Sequence, residues 1–186
     1  MKGCLCMNLE ETALSSQSVF EGRLVQVRVD KVLLPDGRES SREVVIHRFG
    51  GACVLAEDAQ GRVAFVRQFR YAYGQELLEL PAGKLEPGEP PVQCAARELE
   101  EETGLQAKSL TSLGQMYPSV GYLNETIHLF AATGLTQGSQ HLDQGEFLQL
   151  EWLPLKEALN MVRQGQLPDG KTQLALLKYA AFKATI

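Results

Sequence analysis

Residues 83–105 read GKLEPGEPPVQCAARELEEETGL. Pro91 suits a first helical turn and Gly104 suits the position just after a last one, so a helix is predicted over Pro91–Thr103. Val92, Ala95, Ala96 and Leu99 recur at i, i+3, i+4 and i+7, which predicts the buried stripe. Glu98, Glu101 and Glu102 stand at i, i+3 and i+4 on a different face, where their carboxylates are helical neighbours. Like charges placed this way cost a helix about 0.2–0.5 kcal/mol per pair. A hard divalent cation, which prefers oxygen ligands, would offset that cost. Read by itself, the acidic run also fits a solvated face with Arg97 paired to Glu101 at i, i+4.

The full spacing argues against the plainer reading. The pattern G-x5-E-x7-R-E-(apolar)-x-E-E-x-G-(apolar) is met at Gly83, Glu89, Arg97, Glu98, Leu99, Glu101, Glu102, Gly104 and Leu105. This segment resembles the Nudix box. The resemblance implies hydrolysis of a nucleoside diphosphate linked to another group, with Mg²⁺ or Mn²⁺ held against the diphosphate by a loop–helix–loop. It places metal ligands at Glu98 and Glu102, with Glu101 assisting, and the backbone carbonyl of Ala82 in the metal shell. It makes Arg97 structural, orienting Glu89. The physics agrees, because metal ions neutralise a diphosphate and lower the pKa of an attacking water. Gly83 lets backbone approach where a side chain would obstruct.

At 186 residues the chain is long enough for one well-buried domain with a small appendage. A net charge of −5 and the lack of a basic stripe argue against a nucleic-acid binder. Cys53 lies in an apolar run and Cys94 within the predicted helix, so both read as small buried hydrophobes. Cys4-Leu5-Cys6 lacks the usual zinc spacing and a companion pair. All four read as reduced thiols of a cytoplasmic protein. The N-terminal stretch is too weakly apolar for a signal peptide, and no run approaches a membrane span.

Residues 1–15 read as poorly ordered or as a short extension. From Ser18 to His47 the pattern is strand-like, with a turn at Pro35-Asp36-Gly37 before the return strand Arg42–His47. Ala52–Ala56 and Val63–Gln68 flank a second turn at Asp58–Gly61. Leu77–Leu80, Leu110–Met116, Glu125–Ala132 and Phe147–Leu153 read as strands, Thr133–Gly145 as a long loop, and Leu155–Gln164 and Lys171–Thr185 as helices. This mixture indicates an α+β layered fold. The resemblance narrows it to a Nudix α/β/α sandwich over residues 49–186, preceded by a β-rich extension over residues 1–48 that serves dimerisation.

Outside the box, Tyr117-Pro118-Ser119-Val120-Gly121-Tyr122-Leu123-Asn124-Glu125 is similar to the SPG-x-x-x-E loop of ADP-ribose pyrophosphatases within that family. Val120 replaces the usual proline, and Asn124 stands where an aspartate is common. Arg42-Glu43, Arg67–Tyr71, Glu79–Gly83 and Asp169–Thr172 are further matches. The resemblance implies hydrolysis of ADP-ribose to AMP and ribose 5-phosphate. Arg42 and Arg70 would contact phosphate or ribose, since a guanidinium offers a two-pronged fork. Glu79 either joins the site or simply pairs with Arg70. Gly121 and Glu125 would shape the ribose or metal side. Phe20 either is plain core or, as the resemblance implies, stacks on adenine from a partner subunit of a homodimer. Glu146, in a glycine-containing loop, is the candidate general base, with His128 and His141 as alternatives. The rivals are another nucleotide sugar such as GDP-mannose or UDP-glucose, which Val120 keeps open, a sensor that binds ADP-ribose without cleaving it, and an acidic helix that is only an interaction surface.

Overall fold

The computed structural model describes residues 8–184, which fall into two compact units. One holds the chain up to Arg48 together with Ser119–Glu125; the other holds Phe49–Pro118 and the chain from Thr126 onward. The segment 119–125 thus clusters with the N-terminal residues rather than with the residues that flank it in sequence.

The first unit is a three-stranded antiparallel sheet in the order β1 (Thr12–Glu21), β2 (Val25–Leu33), β3 (Glu39–His47). The turn between β2 and β3 closes through Gly37 N to Leu34 O (2.9 Å), and the Asp36 carboxylate accepts from Arg38 N (3.1 Å). β1 begins within the stretch read as extension. Its sequence TALSSQSVFE lacks an alternating apolar face, and all ten residues are exposed, so no burial pattern marked it. Ser119–Glu125 runs along β3: Val45 N donates to Tyr122 O (2.7 Å), and His47 N donates to Asn124 Oδ1 (2.7 Å). An asparagine amide oxygen meets that backbone donor as an aspartate would.

The second unit has two sheets. A four-stranded one runs in the order β7 (Ala82–Lys84), β4 (Gly51–Ala56), β9 (Ile127–Gln137), β8 (Leu105–Met116). A three-stranded one runs in the order β10 (Leu148–Pro154), β5 (Arg62–Arg70), β6 (Gln75–Glu79). β4 and β9 pair in parallel, and β4 is buried along its whole length. Its residues alternate between two cores. Ala52, Val54 and Ala56 pack with Cys94, Ala95 and Leu99 of helix α1 (Pro91–Thr103). Cys53 and Leu55 pack with Ala158 of α2 (Leu155–Arg163) and Ala175, Leu176 and Tyr179 of α3 (Gly170–Lys183). A strand covered on both faces reads as an unbroken apolar run, which is how residues 52–56 read. Helix, sheet and helices make the α/β/α sandwich.

Two expectations are corrected. The buried stripe of α1 is Cys94, Ala95, Leu99, Glu102 and Thr103, while Val92 is 43% exposed and Ala96 is also exposed. The helix is turned so that Glu102 faces the core. Thr133–Gly145 is not all loop: β9 continues to Gln137, because β8 starts directly after the Gly104 cap and pairs Leu105 with Gln137. Cys4 and Cys6 lie outside the described residues; Cys53 and Cys94 are free and buried. Among the described residues, no helix is long and apolar enough to cross a membrane.

Candidate active site

Two glutamates of α1, Glu98 and Glu102, meet β7, and Glu101 joins them through Arg97. Glu102 is 4% exposed, and its Oε2 accepts from Ala82 N (2.9 Å). Burial, reinforced by the nearby charges of Glu98 and Glu146, pushes its carboxyl up to about 8, against the pull of the Ala82 N–H and Arg70. Burial also raises the Glu98 carboxyl; Arg97 opposes this, while Glu101 and Glu146 add to it. A Cβ on residue 83 would lie 1.9 Å from Glu98 Oε1, so only glycine leaves room for that carboxylate against the strand.

Arg97 organises the outer side of this cluster. Its Nε and Nη2 donate to the two oxygens of Glu89 (2.9 and 3.0 Å), and Nη1 donates to Glu98 Oε1 and Glu101 Oε2 (both 2.8 Å). Nη2 also reaches the Lys84 carbonyl (3.0 Å). The two-pronged bond from Arg97 holds the Glu89 carboxyl down at about 2.

The loop after β9 is tied to the C-terminal end of α1, whose last carbonyls have no partner within the helix. His141 N donates to Glu101 O (3.0 Å), Gln140 Nε2 to Glu102 O (2.6 Å), and Gly138 N to Gly104 O (2.6 Å). The same loop carries Glu146, whose charge helps to raise both Glu98 and Glu102. Glu146 sits in a turn, its N–H donating to Asp143 O (3.0 Å) and its Oε2 accepting from Asp143 N (3.4 Å). It also lines a cleft of about 380 Å³ with Arg67, Phe69, Glu76 and Phe147. A larger depression of about 470 Å³, bordered by Glu57, Asp58 and Gly134, includes none of the α1 carboxylates.

Arg70, the last residue of β5, and Glu79, the last of β6, bond to each other along the β5–β6 pair. Arg70 Nε and Nη2 donate to Glu79 Oε1 and Oε2 (2.6 and 2.7 Å), and Lys171 Nζ donates to the same Oε2. Glu79 is 2% exposed. Lys171 is absent from the candidate residues; it lies 92 positions from Glu79 in the chain, and nothing local in the sequence links the two.

Of the other candidates, Phe20 is exposed on β1, which overturns the reading of it as plain core. Arg42 on β3 is bonded to Glu11 (2.5 Å), Ser40 and Ser41. Gly121 and Glu125 lie in the 119–125 segment, with Glu125 Oε1 3.7 Å from His47 Nε2. These four belong to the first unit, whereas Ala82, Glu98, Glu101, Glu102, Arg70, Glu79 and Glu146 belong to the second. His128 lies on β9, paired with Gln115 of β8.

The donor set suits a hard divalent cation: three carboxylates within one helical turn, one of them buried with its charge disfavoured. In this conformation Arg97 and Ala82 N engage them, and no three acidic, His or Cys side chains among the described residues are gathered around a common point. One oxygen of each carboxylate takes no part in those bonds.

Residues 47–173 match the NUDIX domain model, and residues 11–45 match that of the nucleoside diphosphate sugar hydrolase N-terminal domain. The chain is 39% identical over 171 residues to the ADP-ribose pyrophosphatase of Bacillus subtilis (strain 168), covering 91% of this chain and 92% of that one. It is 37% identical over 148 residues to the GDP-mannose pyrophosphatase of Yersinia enterocolitica serotype O:8 / biotype 1B, covering 75% and 76%. The crystal structure of an ADP compounds hydrolase shares the fold, with a TM-score of 0.87 at 20% identity over 96% of this chain and 97% of that one. A box met at every fixed position, on a helix buried as the sandwich requires, and these likenesses agree that the chain belongs to the NUDIX domain family.

Proposed function

We propose that this chain is a Mg²⁺-dependent ADP-ribose pyrophosphatase, with Mn²⁺ as a substitute, that converts ADP-ribose and water into AMP and ribose 5-phosphate. The observation that carries the reading is Glu102, a buried carboxylate with its charge disfavoured, beside Glu98 and Glu101 in an intact box. The likeness to an ADP-ribose pyrophosphatase over nine-tenths of both chains supports the substrate.

Glu98 and Glu102, helped by Glu101 and the Ala82 carbonyl, would hold the metal. Bound there, divalent cations neutralise the diphosphate and acidify a water. The water oxygen forms a new bond to one phosphorus while the bond from that phosphorus to the bridging oxygen breaks. Glu146 would accept the water's proton as general base. Arg70 would face a phosphate oxygen. For Phe20, Arg42, Gly121 and Glu125 we keep the roles that the family resemblance implies, at the adenine, the phosphates and the ribose. We further propose a homodimer and a cytoplasmic location, the latter because Cys53 and Cys94 are free, buried thiols.

A panel of ADP-ribose, GDP-mannose, UDP-glucose and NADH with Mg²⁺, read as released phosphomonoester, tests the reading. ADP-ribose is expected to give the highest kcat/KM. A tenfold preference for GDP-mannose would move the assignment to that substrate, which Val120 and the Yersinia relative favour. Tight binding of ADP-ribose without turnover would make the protein a sensor.

A further inference from the structure

We infer that Lys171 is a positioning residue for the diphosphate site, acting through Glu79 to fix the guanidinium of Arg70; this rests on the proposed reading of Arg70 as a phosphate contact. The buried Glu79 carboxylate receives three donors from two cations, Arg70 through Nε and Nη2 and Lys171 through Nζ. Lys171 is itself pinned, since its Nζ pairs with Asp169 Oδ2 at 2.9 Å. Asp169 caps α3 by accepting from Thr172 N (3.1 Å), and the fully buried Thr172 Oγ1 accepts from Leu80 N (2.9 Å), next to Glu79 in the chain. Two adjacent residues at the start of α3 therefore grip two adjacent residues at the end of β6. The grip fixes both the backbone and the carboxylate on which Arg70 rests.

The charges decide what this achieves. Arg70 and Lys171 balance Glu79 and Asp169, and both cations are held firmly protonated by their acidic neighbours despite burial. Without Lys171, Glu79 would be a buried carboxylate facing a single partner, and solvent or protonation would compete for it. Arg70 is more exposed than its partner, with a side chain 38% accessible against 2% for Glu79. Two of its nitrogens are engaged with Glu79, and Nη1 is not among them. Its charge also acts on Glu102 of α1. A guanidinium locked on one edge by Glu79 and still partly exposed is preorganised for a phosphate oxygen at low entropic cost.

The test is a double-mutant cycle on Lys171→Met and Arg70→Ala, read as the affinity for inorganic pyrophosphate with Mg²⁺, a probe that needs no turnover. Lys171→Met is expected to weaken binding about tenfold in the wild-type background and less than twofold in the Arg70→Ala background. Equal losses in both backgrounds, or none, would overturn the inference. In the ¹⁵N spectrum, the slowly exchanging Arg70 Nε–H of the wild type should broaden or shift in Lys171→Met; an unchanged signal would also overturn it. Lys171→Arg, which keeps the charge and a donor, should recover most of the affinity. If Lys171→Met does not fold, Glu79→Gln takes its place in the same cycle with the same expectations. Wild-type turnover of ADP-ribose is measured separately, so that failure of the proposed activity is distinct from failure of the coupling.

Discussion

At position 102 a carboxylate occupies a helix stripe that Ala95 and Leu99 otherwise fill. Burial pushes its carboxyl up to about 8, so on the proposed reading the fold works against the charge that a bound metal would need. Glu102→Gln is therefore expected to fold with a metal-free melting temperature equal to or above that of the wild type. It should lose the Mg²⁺-induced rise in melting temperature and about 100-fold or more of the turnover, beyond what is typical of a supporting residue at a metal site. Wild-type turnover with an intact Mg²⁺ shift would remove Glu102 from the metal. Glu89 has the opposite shift: Arg97 holds its carboxyl at about 2, below the ordinary 4.5. The pair's stabilisation is thus fully present above about pH 4.5 and fades as pH falls from there towards 2. Melting temperatures across that window should fall more steeply for the wild type than for Glu89→Gln; parallel curves would mean that the pair adds nothing. The residue types at both positions were legible in the sequence because the box spacing is strict. The burial of Glu102 was not, because Val92 and Ala96 offer an equally good helical stripe and only packing against β4 and β9 decides between them.

The loop after β9 acts as an element although it has no regular structure, because residues 138–141 cap the carbonyl end of α1. That anchor leaves Glu146 in a turn beside the cluster. Glu146→Gln is expected to lower kcat by about 10²–10⁴ with little change in metal affinity; a loss under about fivefold would place the base elsewhere. The contact between β7 and α1 supports a second expectation. In Gly83→Ala the new methyl would overlap the end of the Glu98 side chain, a flexible group that can swing aside. The variant should melt within a few degrees of the wild type yet bind Mg²⁺ about 10–100-fold more weakly; unchanged affinity would show that Glu98 does not need its present seat. Among the elements, β4, α1, α2 and α3 were legible from apolar runs and end signals. β1 and the far half of β9 were not, since neither TALSSQSVFE nor the stretch after Ala132 buries an alternating face. Lys171 and Glu79 each lie in a stretch matched to the family, Asp169–Thr172 and Glu79–Gly83, but their pairing across 92 positions has no local pattern.

For the molecule as a whole, β1 is the consequential strand. It is an edge of its sheet, all ten residues are exposed, and Leu14, Val19 and Phe20 are among them. An edge strand carrying apolar side chains invites a partner, and a twofold homodimer is the commonest soluble answer. Full-length protein is expected to be dimeric at micromolar concentration by light scattering. Removal of residues 1–48 should give monomer or aggregate that no longer binds ADP-ribose, while the second unit keeps its α1 packing. A full-length monomer active on ADP-ribose would refute the dimer. Arg97, seated among Glu89, Glu98 and Glu101, has a consequence on the scale of the chain's life. A guanidinium is a counter-ion that cannot diffuse away, so the acidic helix need not wait for a dissolved one before it assembles. On the proposed reading, folding and activation would thereby be separated in time: the chain would reach its final shape with its own cation, and the surroundings would determine when it begins to work.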